Sequence, residues 1–159
     1  MLKWLWLSLA VVVLDQATKF WAGAALMPAR PVEMLPFLNL TLMHNTGAAF
    51  SFLSDAAGWQ RWFFIVVALG VTAVLVLWLR RLGPAERWLA GALALVIGGA
   101  VGNLWDRLAY GHVVDFIDLH AAGWHWPAFN IADSAITVGV VVILLDGFLS
   151  GRKEGGSEQ

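Results

Sequence analysis

The chain has 159 residues, of which 60% are hydrophobic and only 13% charged, with a formal net charge of −1 and a mean hydropathy of +0.73. A soluble domain is nearer half apolar and a quarter charged, so this composition excludes a wetted globular surface and makes lipid the natural solvent. The small net charge gives no basic field for nucleic acid, and the absence of cysteine excludes disulfides, Cys-ligated zinc, thiol catalysis and palmitoylation.

A helix needs about 20 mostly apolar residues to cross a hydrocarbon core about 30 Å thick. Residues 2–25 form the first candidate span, apolar apart from Ser8 and the stretch Asp15-Gln16-Ala17-Thr18-Lys19. Lys3 followed by an apolar run imitates a secretory signal. Asp15 and Lys19 fall where such a signal ends in small neutral residues, however, so the span is expected to be retained. Next comes a polar connection, residues 26–60, with a β-rich part at about 35–55. Leu38, Leu40 and Leu42 alternate there with Asn39, Thr41 and Met43, and Asn45-Thr46-Gly47 supplies turn chemistry before Ala49-Phe50-Ser51-Phe52. This pattern predicts a small hairpin. Spans two and three are residues 62–79, interrupted only by Thr72, and 88–105, whose strongly polar member is Asn103. A second connection, 106–131, contains the extended run Val113-Val114-Asp115-Phe116-Ile117, then Gly123, Trp124, Trp126 and Pro127, a composition suited to the membrane interface. Span four is 131–149, carrying Asp133, Ser134, Thr137 and Asp146, the last read as interfacial. Residues 1–150 thus make one membrane domain and 151–159 a disordered tail. The expected fold is an all-α integral membrane protein of four transmembrane helices, with a small extracytoplasmic β-hairpin and a short interfacial segment.

Short cytoplasmic loops collect Lys and Arg. With the N-terminus inside, Lys3, Arg80, Arg81, Arg87, Arg152 and Lys153 are cytoplasmic, while Lys19, Arg30, Arg61 and Arg107 are outside. Both termini are therefore expected in the cytoplasm. Most tryptophans lie near predicted span ends, as aromatic belts require, and need no binding role.

This topology gathers the membrane-level polar groups on the outer side: Asp15 and Lys19 late in span one, Asn103, Asp106 and Arg107 at the end of span three, and Asp133 at the start of span four. An ionisable group within a span costs roughly 2.5–3.5 kcal/mol on insertion scales, which makes each a functional candidate. Bland readings compete. Asp15 and Lys19, spaced i, i+4, can form only their own ion pair; Arg107 can snorkel and Asp106 can be solvated. Gly98 and Gly102 make a small-xxx-small face that lets another helix approach closely. Asp115 and Asp133 would stand about 27 Å apart on one continuous helix, but Gly123 and Pro127 break it, so the chain can bring both to the lipid–water boundary. Two carboxylates sharing one site cannot both ionise cheaply, so one serves as a base for water while the other donates its proton, as in aspartic peptide hydrolysis. By spacing alone, any two acids in outer loops would qualify.

No His-Glu-x-x-His motif is present, and His44, His112, His120 and His125 read as solvated interface histidines rather than metal ligands. A proton- or ion-coupled carrier would want repeated halves and a polar path to the inner face, neither of which is visible. A non-catalytic scaffold would use the same polar residues as packing glue.

Five blocks together resemble the prolipoprotein signal peptidase (signal peptidase II) family: Asp15-Gln16-Ala17-Thr18-Lys19, Asn45-Thr46-Gly47-Ala48-Ala49-Phe50, residues 98–107, Val113-Val114-Asp115-Phe116 and Phe129-Asn130-Ile131-Ala132-Asp133-Ser134. They stand in that family's order. The resemblance implies a bacterial inner-membrane aspartic endopeptidase, without metal or organic cofactor, that cuts diacylglyceryl-modified prolipoproteins just before the lipidated cysteine. Carried over, the catalytic dyad falls on Asp115 and Asp133. Asn45 and Asn130 would hold the carboxylates or the substrate backbone, while Asp15, Lys19, Asn103, Asp106 and Arg107, with Gly47 and Gly102 in the same blocks, would shape the site. The hairpin near Asn45 would form a cradle over the scissile bond. The expected partners are the prolipoprotein substrates and membrane lipids, with the enzyme acting as a monomer and its site near the outer face.

Overall fold

A computed structural model describes residues 1–28, 30–47 and 58–155. A short 3-10 turn, Leu2–Trp4, leads into α1 (Leu5–Ala25), followed by β1 (Val32–Leu35), β2 (Leu38–Asn45), α2 (Trp59–Arg81), α3 (Arg87–Ala109), β3 (Val113–Ala121), β4 (Trp124–His125) and α4 (Ile131–Gly155). Four helical stretches are long and apolar enough to cross a membrane: Leu2–Ala25, Trp59–Arg81, Arg87–Ala109 and Ile131–Leu149. These are the four expected spans. Helices α2 and α3 extend a few residues beyond the apolar runs into polar ends, because an α-helix satisfies its own backbone as it leaves the hydrocarbon.

Helix α3 is the centre of the bundle, packed against α1, α2 and α4. Of its apolar stretch 67% is buried, against 11% in each of α2 and α4, whose side chains face outward as lipid-exposed residues do. The sequence explains this position. A Cβ on Gly98 would lie 2.8 Å from the Ser8 carbonyl oxygen, one on Gly99 would strike the Ala132 carbonyl, and one on Gly102 would lie 2.6 Å from Asp15 Oδ2. Glycines at these positions therefore let α1 and α4 close on α3 from two sides. Gly139 of α4 answers from the other helix, its missing Cβ 2.6 Å from Val96 Cγ2. Ser8 adds a buried hydrogen bond to the Ala94 carbonyl at 2.7 Å.

At one end of the bundle sits an antiparallel sheet of order β1-β2-β3-β4. It is larger than a hairpin. Strand β2 pairs backward with β1 through the turn at Pro36-Phe37, and on its other edge with β3, register Asn39↔Asp118 and His44↔Val114, with an irregularity between Leu40 and Met43. The expected forward pairing of β2 with residues 49–52 lies outside the described residues. What the sequence reading lacked is β1: Val32-Glu33-Met34-Leu35 is a strand because Pro36 presets the turn that folds it onto Leu38–Leu40. The Trp124 region, whose composition suits the membrane interface, turns back as β4 at Ala122-Gly123, both with positive φ, and leaves Trp124 and Trp126 exposed. Ala22 of α1 and Leu26 just after it pack with Leu42 and Phe116, tying the sheet to the bundle. At the other extremity, α4 continues to Gly155, where a disordered tail from 151 is expected from composition.

Candidate active site

The polar groups sit where α1, α3 and α4 meet the sheet. Lys19 is only 5% exposed, and its Nζ lies 2.8 Å from Asp15 Oδ2, 2.8 Å from Asp106 Oδ2 and 2.9 Å from Asn103 Oδ1. An ammonium has three donors, so this one is fully satisfied away from water. The two carboxylates reach further. Asp15 Oδ1 accepts the Ala132 N–H at 2.9 Å, and Asp106 Oδ2 accepts the Val114 N–H at 3.2 Å. Gln16 Nε2 joins them, donating to Asp106 Oδ1 at 2.8 Å, Asp15 Oδ2 at 3.1 Å and the Gly102 carbonyl at 3.3 Å.

Asn130 precedes α4 as its N-cap. Its Oδ1 accepts the Asp133 N–H at 3.0 Å while Asp133 Oδ2 accepts the Asn130 N–H at 3.3 Å, a reciprocal box that satisfies donors at the helix start and fixes the Asp133 rotamer. The Asn130 amide also donates to Asp115 Oδ1 at 2.6 Å. One asparagine therefore touches both carboxyl groups. Asn103 Nδ2 donates to Asp133 Oδ1 at 2.8 Å, and Asn103 Oδ1 accepts from Asn130 at 3.2 Å and from Lys19, joining the ion-pair layer to the dyad. Asn45, at the end of β2, donates to Asp115 Oδ2 at 3.1 Å, and its own Oδ1 accepts the Gly47 N–H at 3.0 Å. The Arg107 guanidinium donates to the Gly47 carbonyl at 3.1 Å and the Asn103 carbonyl at 3.3 Å, and lies 5.1 Å from the Phe64 ring centroid of α2.

Asp115 and Asp133 line one cavity of ≈ 630 Å³, together with Asn45, Gly47, Asn103 and Arg107. Its other wall is apolar, formed by Leu119, Trp126, Pro127, Phe129, Ile136 and Val138. Asp115 is 2% exposed, and burial first, then the neighbouring Asp133, pushes its carboxyl up to about 7, against the hydrogen bonds from Asn45 and Asn130 and the Lys19 charge. Such a pair can hold one proton between two carboxyls near neutral pH, which is what acid–base hydrolysis of an amide requires.

Every residue singled out from the sequence is in this assembly, in two layers. Asp115, Asp133, Asn45, Gly47, Asn103 and Arg107 face the cavity, with Asn130 bonded between the carboxyls; Asp15, Lys19, Asp106 and Gly102 stand behind them. Sequence reasoning missed the bridging role of Gln16, although a third polar residue beside Asp15 in a span was a usable signal. It also missed Asp118, buried on β3 and within hydrogen-bond reach of Asn39, Thr41 and His125. His125 is thus bound to a carboxylate at 2.8 Å and stacked on His120, rather than simply solvated. Among the described residues no three acidic or histidine side chains are grouped as metal ligands.

Fold and site define a polytopic membrane protein with two carboxyls, one buried and one half-buried, opening on an amphipathic cavity at one end of its bundle, the equipment of a membrane-embedded peptidase. The profile of the family described as signal peptidase (SPase) II matches residues 7–149. A lipoprotein signal peptidase of Pseudomonas putida is 59% identical over 155 residues, covering 96% of this chain and 91% of that protein. One from Pseudomonas fluorescens is 59% identical over 151 residues, covering 94% and 89%. A bacterial membrane enzyme solved by the in meso method at 2.3 Å superposes with a TM-score of 0.83 at 31% identity, covering all of this chain and 93% of that one. The chain belongs to the signal peptidase II family, enzymes that remove the signal peptides of prolipoproteins.

Proposed function

We propose that this chain is an aspartic endopeptidase that cuts diacylglyceryl-modified prolipoproteins immediately before the lipidated cysteine, with Asp115 and Asp133 as its dyad. The observation that carries the reading is that both carboxyls line one cavity and are joined through Asn130. Asp133, at the positive end of α4, serves as the base: it takes a proton from water as the oxygen attacks the scissile carbonyl. Asp115 gives its proton to the carbonyl oxygen, producing a neutral gem-diol. In collapse, a hydroxyl proton returns to Asp115, Asp133 protonates the departing nitrogen, and the C–N bond breaks. One water is consumed, the signal peptide leaves with a carboxyl terminus, and the cysteine gains a free amine.

The cavity's apolar wall suits acyl chains and the signal helix, whose binding energy, remote from the bond, holds the carbonyl against the dyad. Arg107 positions the Asn45–Gly47 turn and so the donor on Asp115. In this reading the enzyme works as a monomer, with the sheet and site near the outer face and both termini in the cytoplasm.

Asp115→Asn and Asp133→Asn are each expected to lower cleavage of a diacylglyceryl precursor by roughly 10²–10⁴-fold while thermal unfolding in detergent stays near wild type. The unlipidated precursor should remain uncut by all three proteins. A folded variant that retains near-normal turnover removes that residue from the dyad.

A further inference from the structure

At the end of the bundle away from the sheet there is a second cavity, of ≈ 450 Å³, lined by Met1, Lys3, Leu82, Pro84 and Arg87. Its two cations come from different parts of the chain. Lys3 belongs to the 3-10 turn before α1, and Arg87 is the first residue of α3. Apolar packing brings them together. Met1, Trp4, Leu5 and Leu82 all rest on the cluster formed by Leu79, Leu89, Ala90, Leu93 and Ile97, and the Trp4 ring fills the space above Gly91, 3.3 Å from where a Cβ would stand. The single acid of the α2–α3 loop, Glu86, turns its Oε2 to the Gly83 N–H at 2.6 Å and does not line the cavity. Among the described residues neither Lys3 nor Arg87 forms an ion pair. Two cations thus line one cavity to which no acid contributes, and Arg87 sits at a helix start, where the dipole disfavours positive charge. An anion in the cavity would pair with both cations and complement the helix start.

We infer that this cavity is a binding site for the phosphodiester headgroup of an anionic phospholipid in the leaflet at this end of the bundle. The walls support a lipid rather than a free anion. Leu82 and Pro84 give the cavity an apolar side, and exposed Leu2 and Trp88, each adjacent in sequence to one of the cations, offer surface along which acyl chains can lie. Lysine and arginine between membrane helices are suited to lipid phosphate, the guanidinium by paired hydrogen bonds and the ammonium as a point charge. The dyad is at the opposite end, so the site is distinct from the peptidase cavity.

The test is thermal unfolding of the full chain in detergent, where leaflets and orientation play no part, with added phosphatidylglycerol, phosphatidylcholine or inorganic phosphate. Phosphatidylglycerol at about tenfold excess over its Kd is expected to raise the wild-type Tm by roughly 3–5 °C. That rise should vanish in Lys3→Gln/Arg87→Gln, persist in the charge-preserving Lys3→Arg/Arg87→Lys, and persist in Arg80→Gln/Arg81→Gln, which neutralises neighbouring cations outside the cavity. Both altered residues are exposed, so the glutamine variant should fold. An equal rise in that variant, or with phosphatidylcholine, overturns the site. An equal rise with inorganic phosphate overturns the lipid as its occupant.

Discussion

Asp115 is a carboxyl group taken almost wholly out of water and placed beside a second one, and both circumstances disfavour its charge, raising it from the usual carboxylate range to about 7. Two amide donors, Asn45 at 3.1 Å and Asn130 at 2.6 Å, oppose that rise by stabilising the anion. If Asp115 supplies the proton to the scissile carbonyl, kcat/KM must fall as pH rises through about 7, by about tenfold per unit beyond it, because the free enzyme then loses its acid. Removing a donor that favours the anion moves this limb upward. Asn45→Ala is therefore expected to shift the alkaline limb of a kcat/KM profile to higher pH, whereas Asn39→Ala, whose partner is Asp118, should leave it in place. A limb that stays fixed in Asn45→Ala would show that Asp115 is not the group titrating there. The same shift has a consequence for stability: the folded chain retains a proton that the unfolded chain releases, so Asp115 makes the fold less stable as pH rises from about 4 to about 7.

Among the elements, α1 does more than span. Its Asp15 satisfies the Ala132 N–H in the first turn of α4, and the same carboxylate pairs with Lys19, so two helices are held at one point beneath the dyad. Room for it comes from Gly102 of α3. In Gly102→Ala the new Cβ would meet Asp15 Oδ2 at 2.6 Å, which forces the carboxylate out of a buried ion pair. Overpacking and a disrupted buried charge together predict a loss of about 2–4 kcal/mol, read as a lower Tm in detergent, with activity falling although no dyad atom is altered. Gly23→Ala on α1, with nothing within 4 Å of its Cβ, is expected to be neutral. The small-residue face at Gly98 and Gly102 was readable from the sequence because helix spacing puts both on one side. Its partner was not, since hydropathy does not say which neighbour fills a gap. The carboxylate opposite Gly102 is a fact of packing.

For the whole molecule, the bilayer made the helices legible: a fixed hydrocarbon thickness demands apolar runs of a set length, and Leu2–Ala25, Trp59–Arg81, Arg87–Ala109 and Ile131–Leu149 announce themselves. The sheet was only half legible. Strand β2 finds β3 across two intervening helices, with Asn39 opposite Asp118, and no local pattern records so distant a pairing. The candidate site was legible as a cluster because placing spans end to end put Asp15, Lys19, Asn103, Asp106 and Asp133 on one side, but the bridges through Asn130 and Gln16 needed coordinates. The geometry also bears on orientation. Of the four cations at the sheet end, Lys19 is paired with two carboxylates, Arg107 faces the dyad cavity, Arg61 donates to the Leu108 carbonyl at 3.0 Å, and Arg30 lies 4.0 Å from Met27 Sδ. Lys3, Arg80, Arg81 and Arg87 lie together at the other end, three of them at or beside the short connection between α2 and α3, and such clustering of cations is the pattern of a cytoplasmic face. A chain without cysteine allows a clean test. Ala85→Cys, in the α2–α3 loop, and Ala121→Cys, at the end of β3, are both exposed. A membrane-impermeant maleimide applied to cells with a permeable outer envelope is expected to label Ala121→Cys at once and Ala85→Cys only after the inner membrane is opened. The reverse pattern would put the dyad on the cytoplasmic side and overturn the proposed orientation.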